Sequence, residues 1–455
     1  MQKIVIDNFG PVKHAEIEIK PLLVLIGEQA TGKSTIAKLI YFFKTLSEDF
    51  RKHYYGMLTL PKDLDSELIK VTRKKFFEYF GSDYYSEKAT ITYFYSENKT
   101  VSICIGAGAE FGIRISEGFF DMGGLGQQLR SIKAGLLLRI ASSDDISDAI
   151  NMFWEQNRVE QLNKFSELIN QIFCNSHNDL AYIIAGRNAT ISYSDFYDGM
   201  LTASLFRMEA QGTKENDIKE ETADEILTLE FLQRVSRMRQ QLNKSGNFAG
   251  VVLNAPKENI DVLNTAHGLI CDVIKGDYIS GTDEKITLEG NKYVYLKNAS
   301  SGQKESIRIL QDAFLGINSG NNVFRVIEEP EAHIFPEAQM YLLQLLAILL
   351  NNTENNQLII TTHSPYVLTV INNLMHAYSV GQNNPEKVRE IVNEYSWIDP
   401  KKVNAYMLTI ANGAERIIDD EVNMIDAEKI DGVSEKLNED YDKLLDIEYG
   451  NGEEK

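Results

Sequence analysis

Gly27-Glu28-Gln29-Ala30-Thr31-Gly32-Lys33-Ser34-Thr35 is the stretch whose reading decides the fold of this chain. An apolar run, Leu22-Leu23-Val24-Leu25-Ile26, precedes it, and Ile36, Leu39, Ile40 and Phe43 follow at helical spacing. Strand, glycine loop and helix in this order are the context of a phosphate-binding loop. Gly27 and Gly32 free the backbone to wrap a phosphate chain. The rest of the loop, Gln29, Ala30, Thr31 and Thr35 included, turns its N–H groups inward with a helix N-terminus behind them. In this pattern Lys33 reaches the β- and γ-phosphates and the Ser34 hydroxyl ligates Mg²⁺.

Three further motifs follow near the other end. Ala299-Ser300-Ser301-Gly302-Gln303-Lys304-Glu305 leads into an amphipathic stretch with Ile307, Leu310, Phe314 and Leu315. Small residues and a glycine at a helix start form an anion site from backbone N–H groups and a hydroxyl, although such starts are common without one. Val323-Phe324-Arg325-Val326-Ile327 then ends in Glu328-Glu329-Pro330-Glu331. Two adjacent carboxylates at the end of a buried-type strand are costly without a task. Glu328 is placed to hold Mg²⁺ and Glu329 to act as general base on a water. Finally, Leu358-Ile359-Ile360-Thr361-Thr362 runs into His363-Ser364-Pro365, where an imidazole can hydrogen-bond a phosphate or the water.

Between these ends the chain alternates in type. Ile4, Ile6 and Phe9, then Ala15, Ile17 and Ile19, read as two antiparallel strands around the turn Asn8-Phe9-Gly10-Pro11. Phe9 and Lys13 either flank a nucleotide base or are a core aromatic and a solvated lysine. Residues 41–85 read as helical, with Arg51, Lys52, Arg73, Lys74 and Lys75 among aromatics. Residues 89–115 read as a β-meander, and 126–178 and 195–248 as mostly helical. Gly123-Gly124-Leu125-Gly126 lacks a following lysine and reads as a turn. Arg234, Arg237 and Arg239 form a candidate basic patch on a helix. Ala181-Tyr182-Ile183-Ile184-Ala185-Gly186-Arg187 reads as a short strand ending in an arginine, either near ligand or at the surface. Residues 278–296 read as a hairpin.

The chain has 455 residues and a net charge of −20. Residues 415–455 hold fifteen acids against five bases, a net of −10. Such a balance does not draw nucleic acid by its overall field, so any DNA contact needs a local basic surface. No apolar run approaches the ~18 residues of a membrane span. Cys104, Cys174 and Cys271 are far apart, which fits reduced thiols in a cytoplasmic protein, and the seven histidines form no metal motif.

The four motifs in this order resemble ABC-type ATPases. Within that class, Glu328 followed by Glu329-Pro330-Glu331-Ala332-His333-Ile334-Phe335-Pro336, together with Thr361-Thr362-His363-Ser364-Pro365, is similar to the ATPase modules of the overcoming-lysogenisation-defect (OLD) family and related AAA-labelled proteins of prokaryotic anti-phage systems. The wording also resembles RecF and SMC-type heads. The resemblance covers residues 1–40 and about 295–370. It implies ATP and Mg²⁺ as cofactors and a homodimer or higher homo-oligomer whose heads sandwich ATP. Gly27, Gly32, Lys33 and Ser34 of one copy would bind phosphates and Mg²⁺, and Ser300, Gly302 and Gln303 of the other would complete the site. Glu329 would drive hydrolysis, Glu328 support the metal and His363 sense the γ-phosphate; Glu331 and Ala332 fall in the D-loop region of the same interface. Three departures stand out: Glu328 replaces the usual aspartate, Ser301 replaces a glycine, and no Q-loop glutamine is evident after Ala185-Gly186-Arg187.

The expected fold is therefore α/β: an ABC-type P-loop head with an N-terminal antiparallel β-subdomain, a large helical insertion and an acidic C-terminal extension. The expected division is 1–44 for the first part of the ATPase core, 45–250 for the mixed lobe, 251–395 for the second part and 396–455 for the extension. About 90 residues follow His363, too few for the TOPRIM nuclease domain that OLD nucleases carry. The chain is thus expected to be a cytoplasmic ATPase subunit of a defence system, acting with a separately encoded, nuclease-like effector and having no nuclease of its own. A DNA-repair or chromosome-maintenance ATPase that clamps DNA through local basic helices is the alternative. An ABC transporter subunit fits less well, because of the large helical insert.

Overall fold

The computed structural model describes residues 1–81, 85–106, 111–121, 124–141, 148–192, 222–411, 413–426, 439–445 and 447. The turn read at Gly123, the helical reading of 195–221 and most of the acidic tail beyond 426 lie outside these residues. In chain order the strands are β1 (Gln2–Phe9), β2 (Val12–Ile19), β3 (Leu22–Gly27), β4 (Tyr85–Ser96), β5 (Lys99–Ile105), β6 (Phe111–Ile115) and β7 (Asp179–Ile183). Then come β8 (Asp277–Ile279), β9 (Lys285–Leu288), β10 (Lys292–Tyr295), β11 (Val323–Glu328), β12 (Gln357–Thr362), β13 (Val403–Thr409) and β14 (Gly413–Arg416).

The central sheet has six strands in the order β14-β13-β3-β12-β11-β7. All neighbours pair in parallel except β14, which is antiparallel at the edge. β3 is apolar throughout, and β11 and β12 are buried at every position, because both faces of the sheet are covered. Along β3, Leu22, Val24 and Ile26 enter one core while Leu23 and Leu25 enter the other. The first core is closed by the helices Ala223–Ser245, Ile260–Ile274, Ser301–Ser319, Pro336–Asn351 and Pro365–Gly381. The second holds the helix Lys33–Gly56, which lies between the central sheet and a five-stranded antiparallel sheet of order β2-β1-β4-β5-β6.

That second core is aromatic. Phe42 and Phe43 of the P-loop helix meet Phe76, Tyr79 and Phe80 of the helix Leu64–Phe80 and Tyr93 of β4. Phe9 is fully buried among them, 5.3 Å from Phe80 by ring centroids. It is a core residue, whereas Lys13 is exposed. The two N-terminal strands and the meander, separate in the sequence reading, form one sheet because β1 pairs with β4 from Lys3↔Phe94 to Phe9↔Tyr85. The stretch read as a hairpin at 278–296 becomes the three-stranded sheet β10-β9-β8.

The α/β class, the antiparallel N-terminal sheet and the helical insertion agree with the sequence reading. β13 stands out, because it falls within the stretch read as an acidic extension yet lies directly beside the P-loop strand. Among the described residues, no helix is long and apolar enough to cross a membrane.

Candidate active site

The strand register gathers the motifs at one end of the sheet. Ile26 pairs with Thr362, Thr361 with Glu328, and Gly27 with Leu408. The P-loop, the acidic pair and the His363 loop therefore leave the sheet side by side, at the carboxyl ends where α/β sheets bind ligands.

Close approach forces the glycines of the P-loop. Gly27 has φ +151°, and a Cβ on it would lie 2.3 Å from the Leu408 carbonyl oxygen. Gly32 has φ +97°, and a Cβ there would meet Val12 Cγ2 at 2.5 Å. The antiparallel sheet thus props the loop from one side and β13 from the other. The helix Lys33–Gly56 starts at Gly32 with no side-chain cap, so its first N–H groups stay available to an anion. Gln29 and Ala30 crest the loop, exposed, with Ala30 left-handed at φ +60°. Thr31 is buried and donates its hydroxyl to the Glu28 carbonyl at 2.9 Å. Ser34 is exposed beside the loop and Thr35 is buried.

Lys33 is buried, and its ammonium donates to the carbonyls of Gly27 (2.7 Å) and Glu28 (2.6 Å). Burial lowers its pKa to about 8, against the carboxylates of Glu329, Glu331 and Glu28, which act to raise it. That interaction places the acidic segment in the electrostatic reach of the P-loop lysine.

The two glutamates differ sharply in environment. Glu328 is buried; Oε1 accepts the Tyr182 phenol at 2.7 Å and Oε2 the Ala185 N–H at 3.1 Å. Glu329 is half-exposed, and its backbone sits at φ +42°, a left-handed conformation rare for a residue with a Cβ. Its N–H is held by the Thr361 carbonyl at 2.9 Å. Strain of this kind persists where the surroundings over-determine it, and it concentrates at functional sites. The Nε2 of His363 lies 3.4 Å from Glu329 Oε1. Glu331 fixes the histidine's main chain, accepting the His363 N–H at 3.0 Å and the Thr362 hydroxyl at 2.5 Å on Oε1. Its Oε2 is buried with no hydrogen-bond partner among the described residues.

Ser300, Gly302 and Gln303 sit at the start of the helix Ser301–Ser319. Ser300 and Gln303 form a capping box, and Gln303 Nε2 donates to the Ile274 carbonyl at 2.7 Å. The Ser300 hydroxyl is therefore engaged in capping, and the N–H groups of Ser301 and Gly302 remain for an anion. Gly302 packs on the Glu331–His333 turn, since a Cβ there would meet the His333 carbonyl oxygen at 2.6 Å.

Residues 1–368 match the AAA ATPase domain family. The chain belongs to that family. No protein of curated function matches the chain. Among solved structures, this AAA ATPase is similar to the SMC head domain from Thermotoga maritima at 11% identity and TM-score 0.33, covering 81% of this chain and 90% of that one. It is similar to an SmcHead bound to the C-winged helix domain of ScpA at 10% identity and TM-score 0.37, covering 81% and 91%. A structure of the recombination mediator protein RecF matches at 10% identity and TM-score 0.31, covering 91% and 97%.

Several residues of this AAA ATPase depart from their sequence reading. Arg234 is not part of a free basic patch. Its Nη atoms bind the Asp179 carboxylate at 2.7 and 2.9 Å, and its Nε binds Asp312. Arg325 of β11, fully buried, joins the same two acids at 2.5 and 2.6 Å. Arg239 pairs with Glu284 at 3.4 Å, and Arg237 is exposed. Arg187 is not at the surface but fully buried. Tyr182 and Leu408 carried no sequence signal, because their partners are distant in the chain. His267, Cys271 and Asp277, likewise scattered in the sequence reading, bring their ligand atoms within 4.8 Å of one another. The hydrogen bond from His267 to Asp277 at 3.0 Å, with Cys271 alongside, raises the imidazole pKa to about 10, so an ion pair accounts for the cluster.

Proposed function

We propose that this chain binds ATP with Mg²⁺ and hydrolyses it at a site completed by a second copy. The observation that carries the reading is the meeting, at one end of one sheet, of a phosphate loop, a carboxylate held in left-handed backbone and a histidine 3.4 Å from that carboxylate. The uncapped N–H groups of the P-loop helix and the Lys33 ammonium bind the phosphates. The Ser34 hydroxyl and the Glu328 carboxylate are the hard oxygen donors that Mg²⁺ takes, and Glu328 is already oriented by Tyr182 and Ala185. When bound, the ion neutralises charge that develops on the phosphate oxygens. Glu329, half-exposed beside the loop, accepts the proton of the attacking water, and His363 holds that carboxylate and the water in place.

The backbone N–H groups of Ser301 and Gly302 are not used by the capping box of their own helix. They suit the γ-phosphate of a second copy, with Gln303 anchoring the helix start. The orphan Glu331 Oε2 is buried in the turn on which Gly302 packs. Glu329→Gln is the test. It should retain ATP binding, trap a nucleotide-dependent dimer and lower turnover by about 10²–10⁴. Hydrolysis at the parental rate by that variant removes Glu329 from the role.

The wording of residues 328–336 supports a defence setting, in which this ATPase acts with a separately encoded, nuclease-like effector. Purification from the native host should then recover an effector. A protein that stays alone and acts on DNA by itself would favour the repair or chromosome-maintenance reading. That reading loses one of its motivating residues, because Arg234 is committed to internal ion pairs.

A further inference from the structure

We infer that Arg187 is the positioning residue that locks the Glu328–Glu329 segment to the helix Ser301–Ser319, in the place where the sequence offers no Q-loop glutamine. The inference rests on the ATPase reading above. The Arg187 guanidinium is fully buried and spans three elements. Nη1 donates to the carbonyls of Ile184, just past β7, and Glu328, at the end of β11, each at 2.6 Å. Nη2 donates to the Glu329 carbonyl at 2.8 Å and lies 3.5 Å from Glu305 Oε1. Nε donates to the Glu305 carbonyl at 3.1 Å. The Glu305 carboxylate, itself buried, accepts the N–H groups of Arg187 (3.0 Å) and Asn188 (2.6 Å) in return.

Charge balance alone does not explain this arrangement. A buried cation needs a counter-ion, and Glu305 is one. Yet four guanidinium bonds go to main-chain carbonyls, and two of those belong to the residues proposed to hold Mg²⁺ and activate water. Glu329 sits in an unfavourable backbone conformation, so an external hold on its carbonyl sets where its carboxylate points. A planar fork with five donors can grip diverging carbonyls at once; a lysine ammonium offers no such planar spread.

Glu305 also lies little more than one turn after Ser301, in the helix whose first N–H groups would meet the second copy's nucleotide. Movement of that helix on engaging a partner's ATP is transmitted by Arg187 to the general base of its own site. Arg187 thereby couples the two sites of a dimer.

Steady-state kinetics of Arg187→Lys, with nucleotide affinity measured separately by fluorescent-ATP titration, tests this. We expect affinity within about threefold of the parent, KM little changed and kcat down at least about tenfold. Glu305→Gln, which keeps the side-chain shape, should show the same split and carries the test if the lysine variant does not fold. A kcat within about twofold of the parent in a folded variant overturns the inference, as does loss of affinity in step with kcat. A parent chain without ATPase activity would instead overturn the reading on which the inference rests.

Discussion

Tyr182 on β7 gives its phenol hydrogen to Oε1 of Glu328 on the neighbouring strand β11, 2.7 Å away and out of solvent. Burial first, and the carboxylate second, push the phenol pKa well above its ordinary value, so the group stays a donor. Removing that hydroxyl leaves a buried carboxylate oxygen unsatisfied. Tyr182→Phe should cost about 1–3 kcal/mol in denaturant unfolding. It should also raise the Mg²⁺ needed for half-maximal turnover, with metal-free nucleotide binding unchanged. An unaltered Mg²⁺ dependence would detach Glu328 from the metal.

Lys33 should give opposite pH trends for binding and for stability. Its folded pKa of about 8 lies below the ordinary lysine value of 10.5. Between these values the unfolded chain holds more protons than the folded one, so this group makes stability rise with pH across the window. Nucleotide affinity needs the ammonium and should fall as pH rises through about 8. Parallel denaturant and nucleotide titrations across that window check both; affinity flat with pH would place the phosphates away from Lys33.

Asp312 is the buried anion shared by Arg234 and Arg325, itself 1% exposed against 0% for Arg325. Asp312→Ala leaves guanidinium charge under-compensated in the core and should cost about 3–5 kcal/mol. Arg234→Ala should likewise show up as a lower denaturant midpoint. Arg237→Ala, an exposed neighbour, should change stability by under about 0.5 kcal/mol. Equal effects from the two arginines would contradict the buried role of Arg234.

Gly27→Ala should disable the loop. Its Cβ would need a φ of +151° and would sit 2.3 Å from the Leu408 carbonyl oxygen. The loop must move, and ATP affinity should drop at least about tenfold, by analogy with other strained backbone sites. Gly186→Ala is the contrast, with φ +69° but no atom within 4 Å of the added carbon. It should cost about 1 kcal/mol and leave binding near normal.

The local parts of the site were legible because each is written in a short stretch. The apolar run before Gly27, the glycines of the loop and the double glutamate after Ile327 each state a backbone requirement or an expensive charge. Arg187 was visible as an arginine after a strand, but a sequence does not say whether such a residue faces water. Its partners, Glu305, Glu328 and Glu329, are more than a hundred positions away, and the same distance hid the bond from Tyr182 to Glu328. Arg234 was misread for the complementary reason: basic residues on an amphipathic helix look alike until the opposite wall supplies Asp179 and Asp312.

The sequence by itself determined a phosphate loop between strand and helix, an α/β core and an acidic pair at a strand end. These follow from periodicity, from glycine's conformational freedom and from the cost of burying charge. Tertiary structure decided that β13 supplies Leu408 to roof Gly27, that Val12 props Gly32, and that Arg187 joins Glu329 to the helix beginning at Ser301. Those contacts come from strand order and long-range packing, which depend on how the whole chain closes around its two cores.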